Sequence, residues 1–418
     1  MRSVAHACPA CGGAEMSVFY EVRNVPVNSV LLVHSREEAL NFQRGDLVLA
    51  VCPRCGFISN IAFDEALTQY TAAYEATQGY SPTFNKFHRS LAQDLIDRYD
   101  LQGKDVIEIG CDKGDFITML VEMGDNRGVG FDPAYVPGRH PSEAAERLTF
   151  VPDFYSEKYT DYRADFICCK MTLEHIPDVG QFIATVRRSV GDQTNTVVFF
   201  QIPNARYVLC DVAFWDIYYE HCSYFTKGSL ARLFRANGFE VRDLWTAYDD
   251  QYLMIEARPG AERPQTTDDR PQPEKQSLSV VGGLSSGGST LAGEESAAET
   301  LAMVEYFVQH YEAKRDEWRA ELARMKAAGQ KVVLWGGGSK GVAFLTTLGQ
   351  TLDDIAYAVD INPIKTGTFM AGTGQEIVAP AFLTEYRPDV VIIMNPVYRA
   401  EVTADLAAMG LAPEIRTL

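Results

Sequence analysis

The sequence predicts an α/β protein with two doubly wound parallel-sheet domains behind a small metal-binding module. Residues 105–116 read as a buried strand, a glycine turn and an amphipathic helix, and residues 331–341 repeat that order near the other end of the chain. Two C-P-x-C-G knuckles stand ahead of both.

At 418 residues the chain has material for two or three domains. Its formal charge of −18 argues against a general binder of nucleic acid or anionic membrane, and an anionic substrate would need a local cluster of Lys and Arg. No apolar run is long enough to span a bilayer, and the N-terminus lacks a basic-then-apolar leader. The expectation is a cytoplasmic protein with a small-molecule substrate, and with neither a nucleic-acid polymer nor a membrane as partner.

The knuckles are Cys8-Pro-Ala-Cys11-Gly and Cys52-Pro-Arg-Cys55-Gly. In each, the turn aims two thiolates at one point and the glycine permits the tight backbone beyond. Without a secretion signal, such pairs point to metal rather than disulfides. Four cysteines make a closed, tetrahedral zinc site, structural because no coordination position stays open. Leu47, Leu49 and Val51 alternate as a strand leading into the second knuckle. A segment with Tyr70, Tyr74 and Tyr80 follows, which alone reads as amphipathic packing. Ser81-Pro82 reads as N-cap and N1 of a helix through Phe84, Phe87, Leu91 and Leu95.

In Asp105-Val-Ile-Glu108-Ile-Gly110-Cys-Asp-Lys-Gly114, the apolar residues form the strand and the glycines let backbone N–H groups approach a ligand. Gly128-Val-Gly-Phe-Asp132 is a second strand whose terminal carboxylate suits two ribose hydroxyls. A dinucleotide site wants G-x-G-x-x-G and a helix N-terminus facing a pyrophosphate. Acidic residues at 108 and 112 would repel that group but suit a sulfonium and an amino group. The turn resembles the first motif of class I S-adenosylmethionine methyltransferases, with Asp112 in place of the middle glycine. That resemblance implies a cofactor site at Glu108, Gly110, Gly114 and Asp132, with Asp153 at the adenine amino group.

The next strand, 164–169, carries Cys168 and Cys169 as core thiols and ends in Met171-Thr-Leu-Glu174-His175-Ile-Pro. Another strand covers 196–200. Phe214-Trp-Asp-Ile-Tyr218-Tyr219-Glu220-His221-Cys-Ser-Tyr224-Phe225 packs aromatics, a carboxylate and a histidine together, and a helix starts at Thr226 and ends at Asn237-Gly238. Were the methylated atom a carbon, the reaction would need a carbanion equivalent. A near-neutral histidine, His221, suits removal of a proton alpha to a ketone, with Glu220 holding its tautomer. Tyr74 and His175 are the expected donors to the enolate oxygen.

From 259 to 297 the composition turns to Pro, Gln, Ser, Gly and charge, which reads as a flexible linker interrupted by Val280-Val-Gly-Gly. A long helix follows, with a stripe at Leu301, Val304, Phe307, Tyr311 and Trp318. Strands at 331–335, 356–360 and 388–394 then frame Gly336-Gly-Gly338-Ser-Lys340-Gly341, a formal G-x-G-x-x-G in which Lys340 suits a phosphate. An NAD(P)-linked oxidoreductase is the alternative that this motif keeps open.

The chain as a whole resembles the sugar C-methyltransferases that act on nucleotide-linked ketodeoxysugars. The resemblance rests on the two knuckles, E-I-G-C-D-K-G, L-E-H-I and Y-Y-E-H-C-S-Y-F. It implies a zinc-binding module at 1–78, a class I Rossmann-like methyltransferase domain at 79–258, the linker at 259–297 and a Rossmann-like substrate-binding domain at 298–418. It also implies an active centre of Glu220, His221, His175 and a tyrosine. W-G-G-G-S-K-G departs from the family's usual glycine-rich sequence. A small-molecule C- or O-methyltransferase with a non-sugar acceptor is the second alternative.

Overall fold

The computed structural model describes residues 1–139, 141–260 and 290–418. Most of the predicted linker, with Val280-Val-Gly-Gly, lies outside the described residues.

The N-terminal part is an antiparallel sheet of β1 (Arg2–Ala5), β2 (Glu15–Pro26), β3 (Arg44–Val51) and β4 (Ile58–Asn60), with a short helix α1 (Arg36–Leu40) before β3. A fifth strand comes from far along the chain, where Ser223 and Tyr224 pair with Ser59 and Ile58. The module is therefore completed by residues beyond its expected boundary at 78. The alternation in β3 suggests one buried face, but both are buried. Val48 and Ala50 join the core that includes Ile107 and Val179, while Leu47, Leu49 and Val51 pack with Val208 and Phe307. Along Leu47–Val51 the sheet lies between other elements, so neither face of that stretch meets water, while β1 and parts of β2 stay exposed.

Helix α2 (Pro82–Tyr99) begins as its sequence directs, with Ser81 Oγ accepting from Phe84 N–H at 3.2 Å. There follow β5 (Asp105–Ile109), α3 (Asp115–Gly124), β6 (Arg127–Phe131), β7 (Leu148–Val151), β8 (Phe166–Lys170), α4 (Val179–Val190) and β9 (Val197–Pro203). Next come α5 (Ala205–Cys210), β10 (Ser223–Tyr224), α6 (Lys227–Ala236), β11 (Phe239–Ala247) and β12 (Tyr252–Pro259). The central sheet runs β11-β12-β9-β8-β5-β6-β7, and β12 is antiparallel to both its neighbours. This is the class I methyltransferase arrangement. The strand order reverses beside β5, which opens a crevice at its carboxyl end.

Helix α7 (Ala297–Ala327) is followed by β13 (Val332–Trp335), α8 (Ser339–Leu348), β14 (Tyr357–Val359), β15 (Glu376–Val378), α9 (Leu383–Tyr386), β16 (Val390–Ile393), α10 (Arg399–Ala408) and β17 (Glu414–Thr417). Their all-parallel sheet has the order β15-β14-β13-β16-β17. The predicted stripe of α7 serves two cores. Val304 and Phe307 pack on the N-terminal sheet, with Tyr20 edge-on to Phe307 at 5.6 Å, and Trp318 meets Phe344 at 5.2 Å. The end of the expected linker is docked rather than free: Glu294 pairs with Arg235 at 2.6 Å, and the Glu295 carboxylate accepts from Gly228 N–H at 3.0 Å. Among the described residues, no helix is long and apolar enough to cross a membrane.

Candidate active site

The carboxyl ends of the two parallel sheets open on one cavity of about 760 Å³, with Tyr70 and Tyr74 of the N-terminal part on its wall. On the methyltransferase side, Gly110 has φ 73° and Gly114 φ 90°. A Cβ on Gly110 would collide with the Thr172 hydroxyl, and one on Gly114 would come within 2.6 Å of Phe150. Asp112, at the middle-glycine position, takes a left-handed φ of 47°. Its N–H donates to Asp132 Oδ2 at 2.8 Å, and Ala134 N–H donates to Oδ1 at 2.7 Å. A carboxylate offers about four acceptor positions, so Asp132 keeps capacity for two hydroxyls.

Glu108 is buried and accepts from Ile117 N–H at 2.9 Å, fixing the first turn of α3 while still bordering the cavity; burial raises it to about 7. Asp153 lies on the cavity's outer lip, where the Tyr159 hydroxyl at 2.5 Å and Lys158 at 3.0 Å hold its carboxyl below the usual range. Gly110, Asp112 and Asp132 border the cavity, whereas Gly114 does not and instead makes room for Phe150; the loop edge with its ribose-ready carboxylate fits S-adenosylmethionine. Lys113 has a part the motif did not disclose. Its fully buried ammonium donates to Tyr74 O at 2.9 Å and Ala134 O at 2.6 Å, tying the tyrosine segment to the cofactor loop.

Opposite this loop, the rings of His175 and His221 meet edge to face at 4.9 Å. The Tyr70 hydroxyl is 2.9 Å from His175 Nδ1, and that of Tyr218 is 3.0 Å from His221 Nε2. Burial drives His221 well below the ordinary imidazole range and His175 down to about 4, so both are neutral. Tyr74 borders the same cavity with its ring 5.2 Å from that of Tyr70, but the phenol bonded to His175 is Tyr70's.

One expectation needs correction. Glu220 does not hold the His221 ring. Its carboxylate accepts from Ser29 N–H at 3.0 Å, from the Ser29 hydroxyl and from Asn28 Nδ2 at 3.3 Å, and Ser29 Oγ reaches Ser339 Oγ at 2.7 Å. Successive side chains on non-helical backbone diverge, so residues 220 and 221 serve different neighbours. The carboxylate beside His221 is Glu174, with Oε1 3.9 Å from Nε2. Glu174 and Tyr218 stood inside the motifs read from the sequence, yet adjacency in the chain favoured Glu220. Nothing in the sequence marked Ser29.

On the last domain's side, Lys340 pairs with Asp216. Asp360, at the end of β14, accepts from Gly337 N–H at 3.1 Å and from Lys365 at 3.3 Å. Both lysines border the cavity.

Away from the cavity, the Cys8–Cys55 and Cys11–Cys52 sulfurs are 3.7 and 3.6 Å apart, and all four lie within 4.8 Å of one another. Tetrahedral Zn–S bonds of about 2.3 Å put sulfurs about 3.8 Å apart, so the cluster is compatible with zinc. Gly12 N–H donates to Cys8 O and Gly56 N–H to Cys52 O, both at 2.9 Å, closing the two knuckle turns.

Fold and cavity together define an S-adenosylmethionine-dependent methyltransferase. A methyltransferase-domain family model matches residues 84–244, and a C-methyltransferase C-terminal domain model matches residues 288–412. More particularly, the chain is similar to the C-methyltransferase NovU of Streptomyces niveus, at 25% identity over 322 residues that cover 75% of this chain and 72% of NovU. These matches support an S-adenosylmethionine-dependent C-methyltransferase, and none of them supports the oxidoreductase alternative.

Among solved structures, the 1,6-didemethyltoxoflavin-N1-methyltransferase of Burkholderia thailandensis is similar over 44% of this chain and 83% of its own, at 19% identity and a TM-score of 0.34. Magnesium protoporphyrin IX methyltransferase from Synechocystis PCC 6803 is similar over 43% and 84%, at 16% identity and a TM-score of 0.33.

Proposed function

We propose that the protein methylates a carbon alpha to a ketone, on a nucleotide-linked keto-deoxysugar, with His221 as general base. The observation that supports this best is the single cavity bordered at once by the Gly110–Gly114 loop, by two neutral histidines and by the last domain's glycine loop with Lys340 and Lys365. Those lysines, held at rest by Asp216 and Asp360, are the cations that an anionic acceptor would draw on in a chain of net charge −18.

Asp132 receives the ribose hydroxyls, with Glu108, Gly110 and Asp153 around the rest of the cofactor. When bound, S-adenosylmethionine supplies an electrophilic methyl group on a sulfonium. His221 takes the alpha proton. The bond that Tyr70 makes to His175 Nδ1 leaves Nε2 of His175 to carry hydrogen and to donate to the developing enolate oxygen, with Tyr74 beside it. Glu220 holds the N-terminal wall against the last domain through Ser29. Cys8, Cys11, Cys52 and Cys55 hold a structural zinc, remote from the reaction.

The test is turnover of a nucleotide-linked keto-deoxysugar by His221→Asn. Loss of a general base costs about 10²–10⁴ in rate, while affinity for S-adenosylmethionine and thermal stability stay close to wild type. In heavy water the wild type exchanges the acceptor's alpha proton and the variant does not. Turnover near the wild-type rate would move the base to His175.

A further inference from the structure

The Glu174 carboxyl is 1% exposed and borders the cavity, and neither of its oxygens has a hydrogen-bond partner. A buried polar group left unpaired in a folded protein calls for an explanation. The titratable groups facing it are His175 and His221, the phenols Tyr70, Tyr218 and Tyr252, and the thiols Cys169 and Cys222. Burial keeps each of these neutral near pH 7, the histidines by lowering them and the phenols and thiols by raising them. A cation formed on His221 is opposed by the charge of Lys340, itself paired with Asp216, and finds in Glu174 the group beside it able to carry the opposite charge.

We infer that Glu174 is a positioning residue that acts through His221, pairing with the imidazolium that forms when the acceptor's proton is removed. The inference rests on His221 being the base. In the step, the alpha C–H bond of the acceptor breaks, its electron pair passes into the enolate and the proton goes to the imidazole. Whichever ring nitrogen accepts it, the cation carries N–H at Nε2, where the Tyr218 hydroxyl at 3.0 Å is the hydrogen-bond partner and Glu174 Oε1 at 3.9 Å in the resting geometry is the counter-charge. The enolate carbon then takes the methyl group while the sulfur keeps the C–S electron pair. The proton leaves His221 for water after product release. The open valences of Glu174 match this sequence, because a carboxylate already satisfied at rest would gain nothing when the cation appears. Burial raises its carboxyl to about 8, so the charged form grows in as pH rises toward that value.

The experiment compares Glu174→Gln, Glu174→Asp and His221→Asn in the full chain, with S-adenosylmethionine and a nucleotide-linked keto-deoxysugar, between about pH 6 and 9. For Glu174→Gln the expected result is a fall in kcat of about 10–100-fold, the scale of one charge-assisted contact. KM and cofactor affinity should stay within about twofold, and the rise of kcat with pH should vanish; Glu174→Asp should recover part of both rate and rise. Wild-type kcat in Glu174→Gln beside an inactive His221→Asn would overturn the role of Glu174 and leave His221 as base. An active His221→Asn would overturn the reading of the base itself. A divalent ion beyond the zinc that is lost in Glu174→Gln would also overturn the pairing, since it would make Glu174 and the two histidines metal ligands.

Discussion

Glu174→Gln should move the difference in stability between variant and wild type in the variant's favour as pH rises, while slowing the reaction. Burial raises the Glu174 carboxyl from 4.5 to about 8, with no cation compensating. Below about pH 4.5 the group is protonated in folded and unfolded chains alike and contributes nothing to the difference between them. Between there and about pH 8 the unfolded chain loses the proton while the folded one keeps it, so the native state loses stability with each step up in pH; above 8 the penalty is constant. At face value the separation is worth about 5 kcal/mol. Structural relaxation and water entry on ionisation reduce this to about 2 kcal/mol.

The glutamine does not titrate. Its buried amide costs about 1–3 kcal/mol at every pH, so the informative quantity is the change in the gap between the two proteins. Glu108, Asp112 and Glu220 are also raised to about 7, but they are present in both and cancel. The assay is thermal unfolding of wild type and variant at pH 5 and pH 8 in matched ionic strength. For a chain of 418 residues the gap in Tm should move in the variant's favour by about 2 °C between the two conditions. A gap independent of pH would refute the picture of Glu174 as a desolvated, unpartnered carboxyl.

Metal analysis of purified protein should find one zinc per chain, and Cys52→Ser should lose it and lower stability; an intact fold and metal content in that variant would rule out the site. Asp132→Ala should weaken S-adenosylmethionine binding by about 1–3 kcal/mol, read by calorimetry, and unchanged affinity would place the cofactor elsewhere.

The parts legible in the sequence are those that neighbours in the chain decide. The strand–glycine–helix order at 105–124 and again at 332–348 was legible because apolar runs, positive-φ turns and helix caps are local choices. The cysteine knuckles were legible for the same reason, each being a closed turn of a few residues. That His175, His221 and Asp132 border the cavity was legible because each stands at the carboxyl end of a strand or inside a dense polar motif, where a doubly wound sheet opens its crevice.

Tertiary structure alone decided which group serves which. Glu220 is next to His221 in sequence, yet it is bonded to Ser29, 191 residues away, whereas Glu174 reaches His221 from a different loop. It also decided that β10 completes the N-terminal sheet, that both faces of β3 are buried, and that Lys113 holds the Tyr74 backbone. The physical reason is common to these cases. In irregular backbone the direction of a side chain is set by what packs around it, and those packing partners come from segments whose approach no local propensity encodes.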